Sequence, residues 1–361
     1  MKFKITTKTP TFIGKGDFLS PSLDFIVKDN ILYFLDITKL QDWIISNRNY
    51  KELIKDLTNI ILKREGNIYK FFEINKLNFR DFVKYSYQIY FPYKEYTLRK
   101  INAPIQNNNG FYIPGSTLKG LIRTALIFKY IEDNDYLNKL KETIKIFRNK
   151  IYIGDDIFRV NLKDINTDAL RFIQISDSNA LNLKNLKIFQ FERVTRNNKF
   201  IPQLFLGFQE NVDLYFEINI LNGYNIANIP QYWKDTFKNE NLIIKSIQNY
   251  ILILLEQEKE IVEKINNNVR NELLMFYENL IKEQNYLMKE NKNETLIRIG
   301  FGKTYYFNSI GYYLDDKERE ELKIGVYKGH FLKIFPTSRW IIRNGNQILT
   351  PGFCKLKYIE K

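Results

Sequence analysis

The stretch IPGSTLKGLIRTALIFKYI, residues 113–131, sets the reading of the chain. Pro114 and Gly115 predict a tight turn. Beyond it, Leu118, Leu121, Ile122, Ala125 and Leu126 fall at i, i+3, i+4, i+7 and i+8, one apolar face of a helix. Ser116 or Thr117 stands where a hydroxyl can cap the helix N-terminus. Lys119 follows in the first turn, and Arg123 lies one turn further on the same side. A helix N-terminus already presents unpaired amides and partial positive charge, so two cations there are unfavourable unless an anion joins them. A phosphate would satisfy both the amides and the cations. A solvated basic face after an ordinary cap is the alternative.

Working outward, residues 3–12 alternate apolar and polar as a strand does, until Gly14 and Gly16 interrupt. Residues 24–36, DFIVKDNILYFLD, form two β-rich runs around Lys28-Asp29-Asn30, a hairpin signal. Residues 38–64 read as helix, with Leu40, Trp43, Ile44, Leu53, Ile54, Leu57, Ile60 and Ile61 at helical spacing. Strands are predicted over 85–93, 170–176, 187–195 and 212–221. Between Pro230 and Gly300 there is neither glycine nor proline, which predicts helices, broken near Asn266-Asn267-Asn268. A glycine-marked segment, LIRIGFGKTYYFNSIG (296–311), precedes a tail with β character. Each half thus holds strands, a glycine loop and helices. Two α/β modules follow, residues 1–222 and 223–361, with the boundary near Asn222-Gly223.

Size agrees with two modules, since 361 residues exceed one typical domain. Lys+Arg number 55 against 41 Asp+Glu, a net charge of +14. Such a surplus suits a polyanionic partner, because each cation near a phosphate releases condensed counterions. A Lys-rich proteome would raise the charge in the same way. The surplus is uneven, however. Residues 323–361 carry eight Lys/Arg and one acid, Glu360, and residues 94–130 carry six and one, Glu95. One cysteine, Cys354, excludes a disulfide framework or a cysteine zinc site within the chain. The N-terminus, MKFKITTK, has no apolar leader, and the most apolar run, 250–255, is too short for a bilayer. The expectation is a soluble cytoplasmic protein with no membrane partner.

The sequence Gly300-Phe301-Gly302-Lys303-Thr304 invites a nucleotide-binding reading, but Ile297 stands where that motif needs glycine. It reads instead as a glycine loop flanked by Arg298 and Lys303 that lets backbone approach an RNA strand, or as a plain β-turn. No cofactor is expected. For nuclease chemistry His330 is the only histidine, so a His–His acid–base pair is impossible. Gly154-Asp155-Asp156 resembles a fragment of a polymerase metal motif but lacks a second preceding glycine. Asp177, in Ile175-Ser176-Asp177-Ser178, admits a metal-assisted role or a cap. No metal site and no catalytic residue are assigned.

Taken together, these segments resemble a known family. IPGSTLKG through Arg123 is similar to the signature of the repeat-associated mysterious proteins, the RAMP superfamily of CRISPR RNA-binding subunits. TPTFIGKGD (9–17) resembles the "tPvhIGsG" opening of the family of the fifth-numbered Csm subunit, with Phe12 where His is frequent. Asp168-Ala169-Leu170-Arg171, the 175–178 segment, RIGFGKTYYFNSIG (298–311), FPTSRW (335–340) and TPGFCKLK (350–357) keep that family's order.

The resemblance implies an α+β fold of two ferredoxin-like (RRM-like) modules with helical insertions. It implies a place at the end of the type III-A Csm filament, near the 3′ side of the guide (CRISPR) RNA and beside the backbone RAMP subunit. It also implies a part in guide maturation, through recruited host nucleases. Guide RNA would then meet Gly115, Ser116, Thr117, Lys119 and Arg123 at the first helix. Arg298, Gly300, Gly302 and Lys303 would form a second loop, with Arg193, Arg196 and Arg339 adding backbone contacts. No equivalent of the backbone subunit's catalytic aspartate aligns, and the large subunit's HD and double-glycine motifs are absent. The expected protein is a non-catalytic RNA-binding subunit. The rivals are an endoribonuclease using His330 or Asp177, a protein adaptor without RNA contact, and a neighbouring RAMP subunit of the type III-B complex.

Overall fold

The strand Lys2–Thr7 lies inside a five-stranded antiparallel sheet. On one side it pairs with Asp213–Ile220, Ile5 facing Leu214, and on the other with Phe353–Glu360, Ile5 facing Leu356. Ile173–Ile175 and Glu294–Arg298 form the edges. A computed structural model supplies these coordinates and describes residues 1–63, 66–89, 100–139, 142, 154–195, 198–239, 241–290, 293–345 and 347–360. The two-residue alternation sends Phe3 and Ile5 inward and Lys2 and Lys4 outward.

The helices Gly115–Asn134, Leu242–Lys264 and Arg270–Glu290 share the core with that inward row. Leu118, Leu121, Ile122, Ala125 and Leu126 are all buried, as their spacing predicts. The second and third helices stop and restart around the three asparagines, where Asn267 Oδ1 accepts from the Val269 amide. In chain order, strand, helix, strand, strand, helix and strand place Phe353–Glu360, Lys2–Thr7, Asp213–Ile220 and Ile173–Ile175 side by side. That is the ferredoxin-like arrangement. The boundary expected near Asn222-Gly223 runs through this sheet rather than between two sheets.

A six-stranded sheet packs against the same core. Its order is Gln347–Leu349, Arg339–Asn344, Leu186–Val194, Phe200–Phe208, Ile101–Asn102 and Phe18–Leu19. Its spatial order of strands is not the ferredoxin-like one. Leu186, Val194, Leu204, Leu206 and Phe208 face the main core. The opposite row, Phe191 and Phe205, gathers Phe12 and Ile342, with Phe189, Phe301 and Trp340 packed at the margin. Phe200–Phe208 was not predicted, because Pro202 breaks its pattern. Among the described residues, pairing with Ile101–Asn102 begins only at Leu204, so Pro202 has a strand neighbour on one side alone and is tolerated.

Residues 20–63 and 66–89 build a smaller lobe with its own core of Ile26, Leu35, Leu40, Ile44, Phe71 and Phe72 among others. The hairpin Phe25–Lys28/Ile31–Leu35 turns at Asp29 and Asn30, whose φ values of 54° and 57° suit a tight hairpin. The helix expected over 38–64 is two helices, Ile37–Ser46 and Tyr50–Ile61, because Asn47 leaves helical geometry. The third strand is Val83–Gln88; the rest of the segment predicted to residue 93 lies, from residue 90, outside the described residues. Among the described residues no helix is long and apolar enough to cross a membrane.

Candidate nucleic-acid interface

Gly115 begins its helix pressed against a strand end. A Cβ there would lie 2.4 Å from the Ile175 carbonyl oxygen and 2.6 Å from that of Ser176, so only glycine fits. Its amide donates to Asp177 Oδ1 at 2.8 Å, and the Ile113 amide donates to Ser178 Oγ at 2.9 Å. Neither Ser116 nor Thr117 caps this helix. Pro114 holds the cap position without a side-chain bond, and the carboxylate arrives from the 175–178 turn. This hydrogen bond gives Asp177 a capping role.

The turn borders an open cleft of about 520 Å³, lined by Gly115, Ser116, Lys119, Gln174, Ser176, Glu217 and Asn219 among others. Ser116 is exposed, while Thr117 and Lys119 are half-buried. Lys119 has no hydrogen-bond or ion-pair partner among the described residues. Arg123 does not join it as an anion seat. Its guanidinium pairs with Asp155 at 2.9 Å and lies over the Phe158 ring. Asp155 also meets Arg159 at 3.4 Å, and Arg159 meets Asp168 at 2.9 Å. Asp156 accepts from the Tyr136 hydroxyl. The acid pair of the metal-motif fragment is therefore engaged in ion pairs and a hydrogen bond.

The glycine loop sits past the opposite edge of the five-stranded sheet. Gly300 and Gly302 have φ of 74° and 87°, the left-handed region. A Cβ on Gly300 would lie 2.3 Å from the Phe12 carbonyl oxygen. The Phe301 amide donates to that oxygen at 2.8 Å, the Ile299 amide to the Gly352 carbonyl at 2.8 Å, and the Gly352 amide to the Pro10 carbonyl at 3.1 Å. The close approach expected toward RNA is thus made to the protein's own backbone, and the loop ties residues 10–13 to 350–352.

Two arginines expected to face RNA are interior. Arg298 is 1% exposed, donates to the Gly302 carbonyl at 3.0 Å, and lies between the Phe307 and Phe353 rings. Arg339 is 3% exposed and donates to Glu258 Oε2 at 3.1 Å; Glu258 is fully buried. Burial removes both from any RNA-facing surface. Lys303 is half-buried with no hydrogen-bond or ion-pair partner among the described residues. Burial, reinforced by the neighbouring Arg298 charge, pushes its ammonium down to about 8.

Arg193 is exposed on the aromatic row of the six-stranded sheet, directly opposite Trp340. Trp340 lies 4.9 Å from Phe301, so the structure brings Arg193 beside the glycine loop. Arg196 lies outside the described residues. His330 is exposed in the short hairpin Val326–Tyr327/His330–Phe331. Among the described residues no three His, Cys, Asp or Glu gather as metal ligands. The aromatic row escaped sequence reading. Its trace there is the two-residue spacing of Phe189, Phe191 and Arg193.

Comparison with known proteins gives a consistent answer. The chain is 26% identical over 413 residues to "CRISPR system Cms protein Csm5" of Methanocaldococcus jannaschii, covering 100% of this chain and 89% of that protein. Its fold is similar to a chain of a cryo-EM Csm–crRNA–target RNA ternary complex of a type III-A CRISPR–Cas system, with TM-score 0.70, 18% identity, and 99% and 100% of the two chains covered. It is also similar to crystalline Csm5 of T. onnurineus, with TM-score 0.59, 16% identity, and 98% and 100% covered. The RAMP superfamily pattern matches residues 4–307, spanning the first strand, the Gly115 turn and the glycine loop. On that match the chain belongs to the RAMP superfamily.

Proposed function

We propose that this chain is a Csm5-like, RNA-binding subunit of a type III-A Csm effector and not itself a nuclease. In this reading it holds the guide RNA near its 3′ side at the end of the filament, beside the backbone RAMP subunit, and supports guide maturation by nucleases supplied by the host. The observation that carries the reading is Lys119. It is a cation without a partner among the described residues, at the mouth of a polar cleft and at the N-terminus of a twenty-residue helix. A phosphate there meets both the ammonium and the helix dipole. The surplus of +14 supports the same kind of partner.

Asp177 is read as a helix cap rather than a nuclease carboxylate, its Oδ1 accepting from the Gly115 amide. The deciding experiment is a gel-shift series with the purified chain and end-labelled guide RNA, with and without divalent metal, at several salt concentrations. The expected result is a salt-sensitive shift with intact RNA. Lys119→Ala should weaken it and lower the slope of log affinity against log salt by about one contact's worth. Unchanged affinity and slope would remove the cleft from the interface. Specific cleavage would overturn the non-catalytic reading.

A further inference from the structure

The two sheets differ on the faces turned away from the shared core. On the ferredoxin-like sheet that face carries Lys4, Tyr215, Lys355, Lys357 and Glu294, and these three lysines are paired with carboxylates. Lys4 pairs with Asp213 at 3.2 Å, and Lys357 with Glu294 at 2.7 Å. The six-stranded sheet presents rings instead. Cross-strand register aligns Phe189 with Phe205, Phe205 with Asn102, and Asn102 with Phe18 across four neighbouring strands, roughly 14 Å at ordinary strand spacing, with Phe205 itself buried against Phe12 and Phe301.

Trp340 continues the surface on the next strand, and Phe301 from the glycine loop packs against Phe205 and Trp340 at 4.6 and 4.9 Å. Phe189, Phe301 and Trp340 stay partly exposed, and Phe18 is 48% exposed. The cations nearby are left open. Arg193 and Lys303 have no hydrogen-bond or ion-pair partner among the described residues, and Lys100 lies 4.1 Å over the Phe18 ring. Glu210 lies near Lys187 at one end of the face.

Rings half open to solvent, bordered by cations without carboxylate partners, fit a ligand with flat apolar faces on an anionic backbone. We propose that this face of the six-stranded sheet is a stacking platform for unpaired RNA bases, with Arg193 and Lys303 meeting the phosphates. Trp340, Phe301 and Phe189 supply the rings. Stacking of this kind tolerates any base, because every base has a π-face, and it requires that the bases be unpaired. The platform is separate from the Lys119 cleft, which lies at the other edge of the five-stranded sheet. This inference rests on the RNA-binding reading of the chain.

The test uses the full chain with a short oligouridylate, a blunt RNA duplex of equal length, and the variants Phe189→Ala, Trp340→Leu and Arg193→Ala. Thermal melting serves as a folding control. The single strand should bind more tightly than the duplex. Each ring variant should weaken single-strand binding by between about fivefold and a hundredfold. The ring variants should leave the salt slope unchanged, because a ring carries no charge, whereas Arg193→Ala should lower it. Iodouridine placed in the oligomer should photocrosslink to Phe189, Phe301 or Trp340 of the wild-type chain, a readout that decides the matter if a variant fails to fold. Folded ring variants that bind like wild type, equal binding of duplex, or crosslinks confined to the Lys119 cleft would overturn the platform. If Lys119→Ala still weakens binding in that case, the RNA-binding reading survives without it. Absence of any binding by the wild-type chain at low salt would overturn both.

Discussion

Glu258 is fully buried and is shared by Arg339, the Thr304 hydroxyl and the Tyr277 hydroxyl. Removing one member of such a set strands the others without a partner, at a typical cost of ~3–5 kcal/mol. Arg339→Met should therefore lower the urea midpoint sharply. Lys119→Ala, at a half-exposed side chain without a partner, should stay within ~0.5 kcal/mol of wild type. A mild effect of Arg339→Met would return that residue to the RNA-facing candidates. In sequence the two cations look alike, each in a basic stretch near a turn. They are told apart by a carboxylate 81 residues from Arg339, and no local pattern carries that pairing. Lys303 adds a pH signature. Its ammonium falls from an ordinary 10.5 to about 8. Between those values the unfolded chain holds more protons at this site than the folded one, so this site's contribution to stability rises with pH across the window. An RNA phosphate beside Lys303 favours the charged form, so affinity should fall as pH rises through about 8. Titrating RNA affinity from neutral to alkaline pH should show this fall in wild type and a flatter profile in Lys303→Met.

At the scale of elements, the helix Gly115–Asn134 owes its position to two features 62 residues apart, a glycine and the Asp177 carboxylate. Gly115→Ala places a methyl against two carbonyl oxygens and should cost ~1–3 kcal/mol as helix and strand separate. Asp177→Ala should cost about 1 kcal/mol, and Asp177→Asn, which still accepts the amide, only a few tenths. The pair also tests the nuclease alternative. If Asp177 handled a metal, the asparagine variant would be stable and lose cleavage, whereas a cap that survives in Asn leaves RNA behaviour unchanged. The helix itself was legible because its apolar spacing is local. Its cap was not, because the donor and acceptor meet only after the fold forms. The same division holds elsewhere. The break at Asn266-Asn267-Asn268 is a local event and appears where the sequence puts it. Phe200–Phe208 was hidden, because whether Pro202 breaks a strand depends on which neighbour lies beside it.

At the scale of the whole molecule, the five-stranded sheet joins strands far apart in sequence. Lys2–Thr7 obtains one neighbour from Asp213–Ile220 and the other from Phe353–Glu360, and Gly115–Asn134 packs against Leu242–Lys264. Similar composition in the two halves predicts separable modules, but composition carries no information about which strands pair. A fragment of residues 1–222 keeps the first strand and helix and loses the strand and helix that cover them, leaving Phe3, Ile5, Leu118, Leu121 and Leu126 without their partners from the other half. A fragment of residues 223–361 keeps Phe353–Glu360 and Glu294–Arg298 but loses the strand between Phe353–Glu360 and Asp213–Ile220. Neither fragment alone should give a single sharp urea transition for the five-stranded sheet. The smaller lobe, with a core of its own, should keep residual helix signal in the first fragment. Mixed or co-expressed, the two fragments should associate and recover the cooperative transition, because the lost burial is restored across the cut. Salt-sensitive RNA binding should return with it, since the Lys119 cleft and the glycine loop stand at opposite edges of that one sheet. A sharp transition in each fragment by itself would show that the sheet's two halves fold independently.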